Sequence, residues 1–241
     1  MEKDYIKLLI AEDDENLAYM EKMTLEDIIG GYEVHIANNG KKGLEAWKTF
    51  NPHVIVADIE MPEMDGMEMV RRIREVDHDT IILMATGVKS ANSLLEGYAI
   101  GIDNYVKKPF IPQELDAHIR SLLRMRRKED SRNEVSLYRF GKFVLDTGKC
   151  TLLHQETGKT QTLTKREAGI LQLLIENQNE VVRREVFLSR FWQIEGKDFF
   201  SSRSLDVFVA KLRKYMEEDE SLELKTVRGI GLSLMIPTTK G

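Results

Sequence analysis

Residues 8–17 read LLIAEDDENL: four apolar residues run straight into Glu12, Asp13 and Asp14, and an amphipathic segment follows. A short continuous apolar run bounded by polar residues is the pattern of a strand buried on both faces. Why three carboxylates should crowd the point where such a strand ends is the first question the chain poses. Four more runs of strand length repeat the pattern: YEVHIA (32–37), HVIVAD (53–58), TIILMAT (80–86) and NYVKK (104–108), each followed by a helical period. This alternation predicts a parallel sheet covered by helices on both faces, the doubly wound α/β arrangement. In that arrangement the binding crevice lies outside the carboxyl ends of the strands.

Asp58 ends the third run, so it shares that edge with the acids that end the first. Taken singly, an acid at a strand end more often caps the next helix or turn than carries chemistry. Convergence changes the weighting: like charges a few ångströms apart raise one another's pKa and repel, and a cation must offset them. Hard oxygen donors of this kind suit Mg2+. Thr86, with Gly87 behind it, ends the fourth run, and Lys108 ends the fifth. A threonine there is ordinarily β-propensity and a surface lysine is ordinarily solvated. Beside Glu12, Asp13 and Asp58 they complete a five-position constellation suited to phosphate oxygens.

Composition frames this reading. A chain of 241 residues suggests two domains, and 42% hydrophobic with 31% charged residues is the profile of a soluble globular protein. No apolar run spans a bilayer and the opening MEKDY lacks a secretory pattern, so a cytoplasmic protein without membrane partners is expected. The single cysteine, Cys150, and five scattered histidines offer no disulfide or transition-metal spacing, and no GxxxxGK[ST] loop occurs. Residues 1–124 hold 14 Lys and Arg against 23 Asp and Glu, net −9, whereas residues 133–241 hold 17 against 15, net +2. The polar stretch MRRKEDSRNEVS (125–136) between them reads as a linker. Domains of 1–124 and 137–241 follow.

In the second half, residues 137–163 read as short strands with turn signals at DTGK and ETGK. Thr164 and Glu167 then have capping-box spacing at the head of TKREAGILQLLIENQN, and RREVFLSRFW and SSRSLDVFVAKLRKYM are further amphipathic helices. In the last, Leu205, Phe208, Val209, Leu212 and Met216 form one apolar stripe, with Arg203, Val207, Ala210 and Lys214 opposite, flanked by Asp206 and Lys211. LKTVRGIGLSLMI reads as a β-hairpin with Arg228 near its tip. A basic helix face is usually only a solvated one; a hairpin following it strengthens the nucleic-acid reading.

The motifs LLIAEDD, VIVADIEMP, ILMATG and NYVKKPF resemble, in order and spacing, the receiver domain of two-component response regulators. LTKREAGILQLL, RSLDVFVAKLRKYM and TVRGIG resemble the winged helix-turn-helix effector of the OmpR/PhoB family. The resemblance implies a (βα)5 receiver followed by a winged helix, a non-enzyme whose Asp58 accepts a phosphoryl group from a sensor histidine kinase. It implies Mg2+ on Asp13, Asp58 and the Glu60 carbonyl, with Glu12 acting through water, and Asp14 as a bystander. Thr86 and Lys108 would grip the phosphoryl oxygens, Tyr105 would follow Thr86, and the Lys108–Pro109 bond would be cis. On double-stranded DNA, Arg203, Lys211, Arg213 and Lys214 would meet phosphates, with local pairing as Arg213's alternative. Val207 and Ala210 would meet bases in the major groove, and Thr226 and Arg228 belong to the hairpin, whose Arg228 would enter the minor groove. Asp103 and Glu114 fit a homodimer formed on phosphorylation, and RNA polymerase is a further partner of the reading. Ala210, Leu232 and Gly87 depart from the family's commoner residues. Two rival readings are a constitutive DNA-binding regulator with an inert receiver and a phospho-aspartyl phosphotransferase.

Overall fold

A computed structural model describes residues 5–87, 91–132, 137–192 and 199–237, and the chain divides into two compact units, Met1–Arg126 and Arg127–Gly241. In the first, strands β1 (Ile6–Ala11), β2 (Tyr32–Ala37), β3 (Val54–Asp58), β4 (Ile81–Thr86) and β5 (Asn104–Lys107) form one parallel sheet in the order β2-β1-β3-β4-β5. Between them run α1 (Glu15–Met23), α2 (Gly40–Phe50), α3 (Gly66–Arg74) and α4 (Ala91–Ile100), and α5 (Pro112–Arg132) follows β5. The sequence-based strands and their parallel arrangement are found as expected.

Alternation along the strands divides the core into two layers. Leu8, Ile10, Val54, Val56, Leu83 and Val106 pack with Ala18 and Leu25 of α1 and with Leu115 and Ile119 of α5. The other faces of these strands carry Leu9, Ile55, Ile82 and Met84, all buried. Strand order reverses between β1 and β3, and a doubly wound sheet opens its crevice at such a reversal. Glu12 and Asp58 leave the sheet there.

β2 is an edge strand, with alternating buried and exposed residues instead of a continuous apolar run. Past Met23, α1 widens into a π-helical turn (Thr24–Ile29), closed by the Gly30 amide on the Leu25 carbonyl at 2.9 Å. Glu26 in that turn accepts the Val34 amide at 2.6 Å, and Lys22 donates to the Val34 carbonyl at 2.9 Å. Two side chains thus close the middle of the open edge.

α5 continues to Arg132, so residues 125–132, read from charge as part of a linker, are helical. Arg, Lys and Glu are good helix formers, and no Gly or Pro interrupts them. Residues 133–136 of that stretch lie outside the described residues.

The second unit opens with an antiparallel four-stranded sheet, β6 (Leu137–Phe140), β7 (Phe143–Asp146), β8 (Thr151–His154) and β9 (Thr160–Thr162), paired in sequence order. α6 (Lys165–Glu176) starts at the expected capping box: Thr164 and Glu167 exchange side-chain and backbone bonds. β10 (Val182–Arg183), α7 (Arg184–Phe191), α8 (Phe199–Tyr215) and the hairpin β11 (Glu223–Val227) and β12 (Gly231–Met235) complete a winged helix. The whole predicted stripe of α8, Leu205 through Met216, is buried.

One glycine holds the loop after β3 in place. A Cβ at Gly66 would lie 2.0 Å from the Asp58 carbonyl oxygen, and its amide donates to the Ile59 carbonyl at 3.0 Å. Gly66→Ala is expected to cost roughly 1–3 kcal/mol, the usual cost of overpacking, as a lowered urea midpoint; an unchanged midpoint would show that the loop yields.

Candidate functional site: an acidic sheet edge and a winged-helix face

The three opening acids stand in three different environments. Asp14 is the N-cap of α1, accepting the Asn16 and Leu17 amides at 3.0 and 3.1 Å. Glu12 is 4% exposed and pairs with the Lys108 ammonium, which also donates to Asp58 Oδ2 at 2.6 Å. Asp13 is exposed, and ligand oxygens of Glu12, Asp13 and Asp58 all lie within 4.8 Å of one another.

Charge decides what this edge can hold. Two carboxylates about 5 Å apart repel by roughly 3 kcal/mol at an effective dielectric near 20. Three carboxylates and one ammonium leave two negative charges uncompensated, the charge of one divalent cation. Burial raises the pKa of Glu12 against the opposing pull of Lys108. Burial also works against the Lys108 cation, but its bonds to Asp58 and Glu12 outweigh this and hold it above the ordinary lysine range. An all-oxygen, partly open donor set of this charge fits Mg2+.

The other predicted residues border the same edge. The Asp58 Oδ1 accepts the Glu60 amide at 3.2 Å, which folds the loop so that Glu60 follows the acid closely. Thr86 ends β4 and its hydroxyl donates to the Gly87 carbonyl at 2.7 Å; Lys108 bonds back to the Thr86 carbonyl through its amide at 2.7 Å. The Lys108–Pro109 bond is cis. Tyr105 is half-buried, edge-on to Tyr98 at 5.4 Å, and burial, with Tyr98 and Glu96 adding to it, raises its phenol pKa. Sequence reasoning missed Gly97: a Cβ there would meet the Tyr105 hydroxyl at 2.0 Å, so a larger residue at this helical position would displace the ring from its present seat. A glycine inside an otherwise helical pattern was the signal available.

Three residues with expected outside contacts have partners within the chain. Asp103, expected at a dimer interface, is engaged internally: it accepts from the Ile82 amide at 2.8 Å, from buried Arg74 at 3.2 Å and from Arg126 at 3.4 Å. Glu114, its companion in that expectation, is exposed. Lys211, expected on phosphate, pairs with buried Glu167 of the capping box. Arg213 takes its local alternative, donating to the Leu224 carbonyl at 2.7 and 2.9 Å and to the Thr226 hydroxyl at 2.9 Å. In each case a charge near an apolar core is more favourable with a partner than without one. On the α8 face opposite the buried stripe Arg203, Ala210 and Lys214 are exposed and Val207 is half-exposed, and Arg228 between the hairpin strands is exposed as well. Arg184, unassigned by sequence, opens α7 beside the wing: its amide meets the Ile230 carbonyl at 3.0 Å and its guanidinium pairs with Asp206 of α8 at 2.7 Å.

Two family matches cover these two units. Residues 8–120 match the response regulator receiver domain, and residues 158–234 match the C-terminal domain of transcriptional regulatory proteins. The chain is 33% identical over 233 residues to the transcriptional regulatory protein RprY of Bacteroides fragilis, covering 96% of this chain and 95% of that protein. It is 34% identical over 234 residues to the response regulator MprA of Mycobacterium leprae, covering 95% and 98%. A solved RitR mutant structure shares the fold, with a TM-score of 0.72 at 23% identity over 95% of this chain and 98% of that one. A receiver joined to a transcriptional-regulatory winged helix defines a two-component transcription regulator. The chain belongs to the OmpR/PhoB family of response regulators.

Asp14→Ala should lose about 1 kcal/mol as a deleted N-cap while keeping its Mg2+ affinity by calorimetry, whereas Asp13→Ala should lose the affinity and keep the stability. Equal loss of affinity in both would place Asp14 among the ligands.

Proposed function

We propose that Asp58 is the phosphoryl acceptor and that its phosphorylation by a sensor histidine kinase controls sequence-specific binding to double-stranded DNA. The observation that carries this reading is the Asp58 carboxylate held between Lys108, at 2.6 Å, and the Glu12–Asp13 acids. Asp13, Asp58 and the Glu60 carbonyl would hold Mg2+, with Glu12 behind them, and the cation would supply charge neutralisation. The Asp58 oxygen forms a P–O bond as the donor's P–N bond breaks, and the leaving imidazole takes a proton from solvent. Such transfer depends on positioning and charge rather than on a separate base.

The switch is differential binding: the added charge favours whichever arrangement brings Lys108 and the Thr86 hydroxyl onto it, and it biases the equilibrium by that difference alone. Thr86 now bonds to the neighbouring Gly87 carbonyl, an interaction it can exchange for a phosphoryl oxygen. Tyr105, seated against Gly97, would follow. A homodimer using the face that carries Asp103 and Glu114 would double the DNA contacts of a weakly basic domain. RNA polymerase is the further partner, and the cytoplasm the compartment; no helix among the described residues is long and apolar enough to cross a membrane.

On DNA, α8 would enter the major groove with Arg203, Val207, Ala210 and Lys214, and the wing would carry Arg228 to the minor groove. Lys211 and Arg213 would act through the positions they brace.

Incubation with Mg2+ and acetyl phosphate should add one phosphoryl mass to the protein and none to Asp58→Asn. Equal gain in both would move the acceptor elsewhere. On operator DNA, Lys214→Ala should reduce the salt slope by about one unit, with Lys211→Ala leaving the slope unchanged and lowering thermal stability; the reverse pattern would exchange their roles.

A further inference from the structure

One buried acid near the sheet edge has no place in the receiver reading. Glu21 stands on α1 at helical spacing between Ala18 and Leu25, and it is 2% exposed. Among the described residues no hydrogen bond or ion pair engages its carboxyl. Ala18 and Leu25 belong to the core layer that contains Leu8, Ile10, Val54, Val56 and Val106. Alternation carries those same strand rows on to Glu12, Asp58 and Lys108. Side chains on a helix lean toward its N-terminus, and α1 starts at the acidic edge, so Glu21 is buried on the α1 face that packs against the strand rows ending in these three groups.

A carboxylate without a partner in such a layer is costly, and the group responds by holding a proton. Burial first, then the charge on Glu12, with Asp58 adding and Lys108 opposing, pushes its pKa up to about 7. Those three are the charged groups that act on it. Lys22 of its own helix is turned to the Val34 carbonyl, and α5 contributes the apolar Leu115 and Ile119 to this layer.

We propose that Glu21 is an ancillary carboxyl of the acidic pocket, a positioning residue that releases a proton when a divalent cation enters and regains it when negative charge accumulates, so that loading of the pocket is linked to pH. The inference rests on the reading of this edge as a Mg2+ site. Its sign follows from the charges. A cation favours ionised Glu21, so Mg2+ affinity climbs as pH rises through neutrality, and a phosphoryl group on Asp58 works the other way. Folding responds oppositely to a salt-bridged acid: the raised pKa contributes stability below the unfolded carboxyl range, and this is lost as pH climbs through the folded value.

The test uses the full chain, MgCl2 alone, and two observables: the 13C shift of the Glu21 carboxyl, and calorimetric Mg2+ affinity between about pH 6 and 8. The Glu21 midpoint should lie near neutrality without metal and fall on saturation with Mg2+. Affinity should rise about threefold more across this range in the wild type than in Glu21→Gln. A midpoint indifferent to Mg2+, or the same pH slope in both proteins, would overturn the proposal while leaving the metal site intact. Absence of any Mg2+ heat, with Asp13 and Asp58 resonances unmoved, would remove the metal site and the proposal together. Glu21→Leu supplies the comparison should the Gln variant fold poorly: it should show the same flat slope and a urea midpoint above wild type in alkaline buffer, and a wild-type slope in this variant would count equally against the proposal.

Discussion

Repulsion among carboxylates at the β1–β3 reversal is the constraint around which the first unit is arranged. Three acids within reach of one another would drive the edge apart, and the arrangement holds because a fifth-strand lysine closes over two of them. The rest of the unit serves that placement. Parallel pairing of β1 with β3 brings Glu12 beside Asp58, Lys108 follows directly on β5 and reaches both, and Gly66 lets the next loop lie against the Asp58 backbone. One ammonium against three acids leaves the edge electrically incomplete, the condition under which a cation could be held there.

In the second unit the same logic runs in the opposite direction. Its charged residues near the core are satisfied internally, and that satisfaction shapes the exposed face. The buried Glu167 closes the head of α6 and also receives Lys211, tying α6 to α8, while Arg213 ties α8 to β11 through the Leu224 carbonyl. Lys211 therefore fixes α8 against α6, and Arg213 fixes it against the hairpin. Among the described residues, what faces outward without such a tie to a neighbouring element of the domain core is led by Lys214 and Arg228, with Arg203 exposed at the head of α8.

How much of this was legible followed the range of the interactions involved. Strand boundaries, the five residues of the acidic edge, the Thr164 capping box and the α8 stripe are written in local period and spacing, and each was found where the pattern put it. The internal partners of Asp103 and Lys211, and the identity of Arg213's local one, were not legible because they lie on other elements, at separations no periodicity encodes. Glu21 was passed over for a related reason: a glutamate among the charged letters of α1 looks solvated, and only the packed layer reveals that it is enclosed. Residues 125–132 were read from charge alone, although their helix propensity pointed the other way.

The widened turn at the end of α1 has a consequence for how copies of this protein meet. An open sheet margin offers alternating donors and acceptors to any extended peptide, a hazard whenever two margins come close. Here Glu26 and Lys22 occupy both backbone groups of Val34 at the centre of the outermost strand. An intruding strand would have to strip away two charge-assisted bonds before gaining its first pair of its own, so the molecule can crowd against its neighbours without being zipped into a fibre along that side.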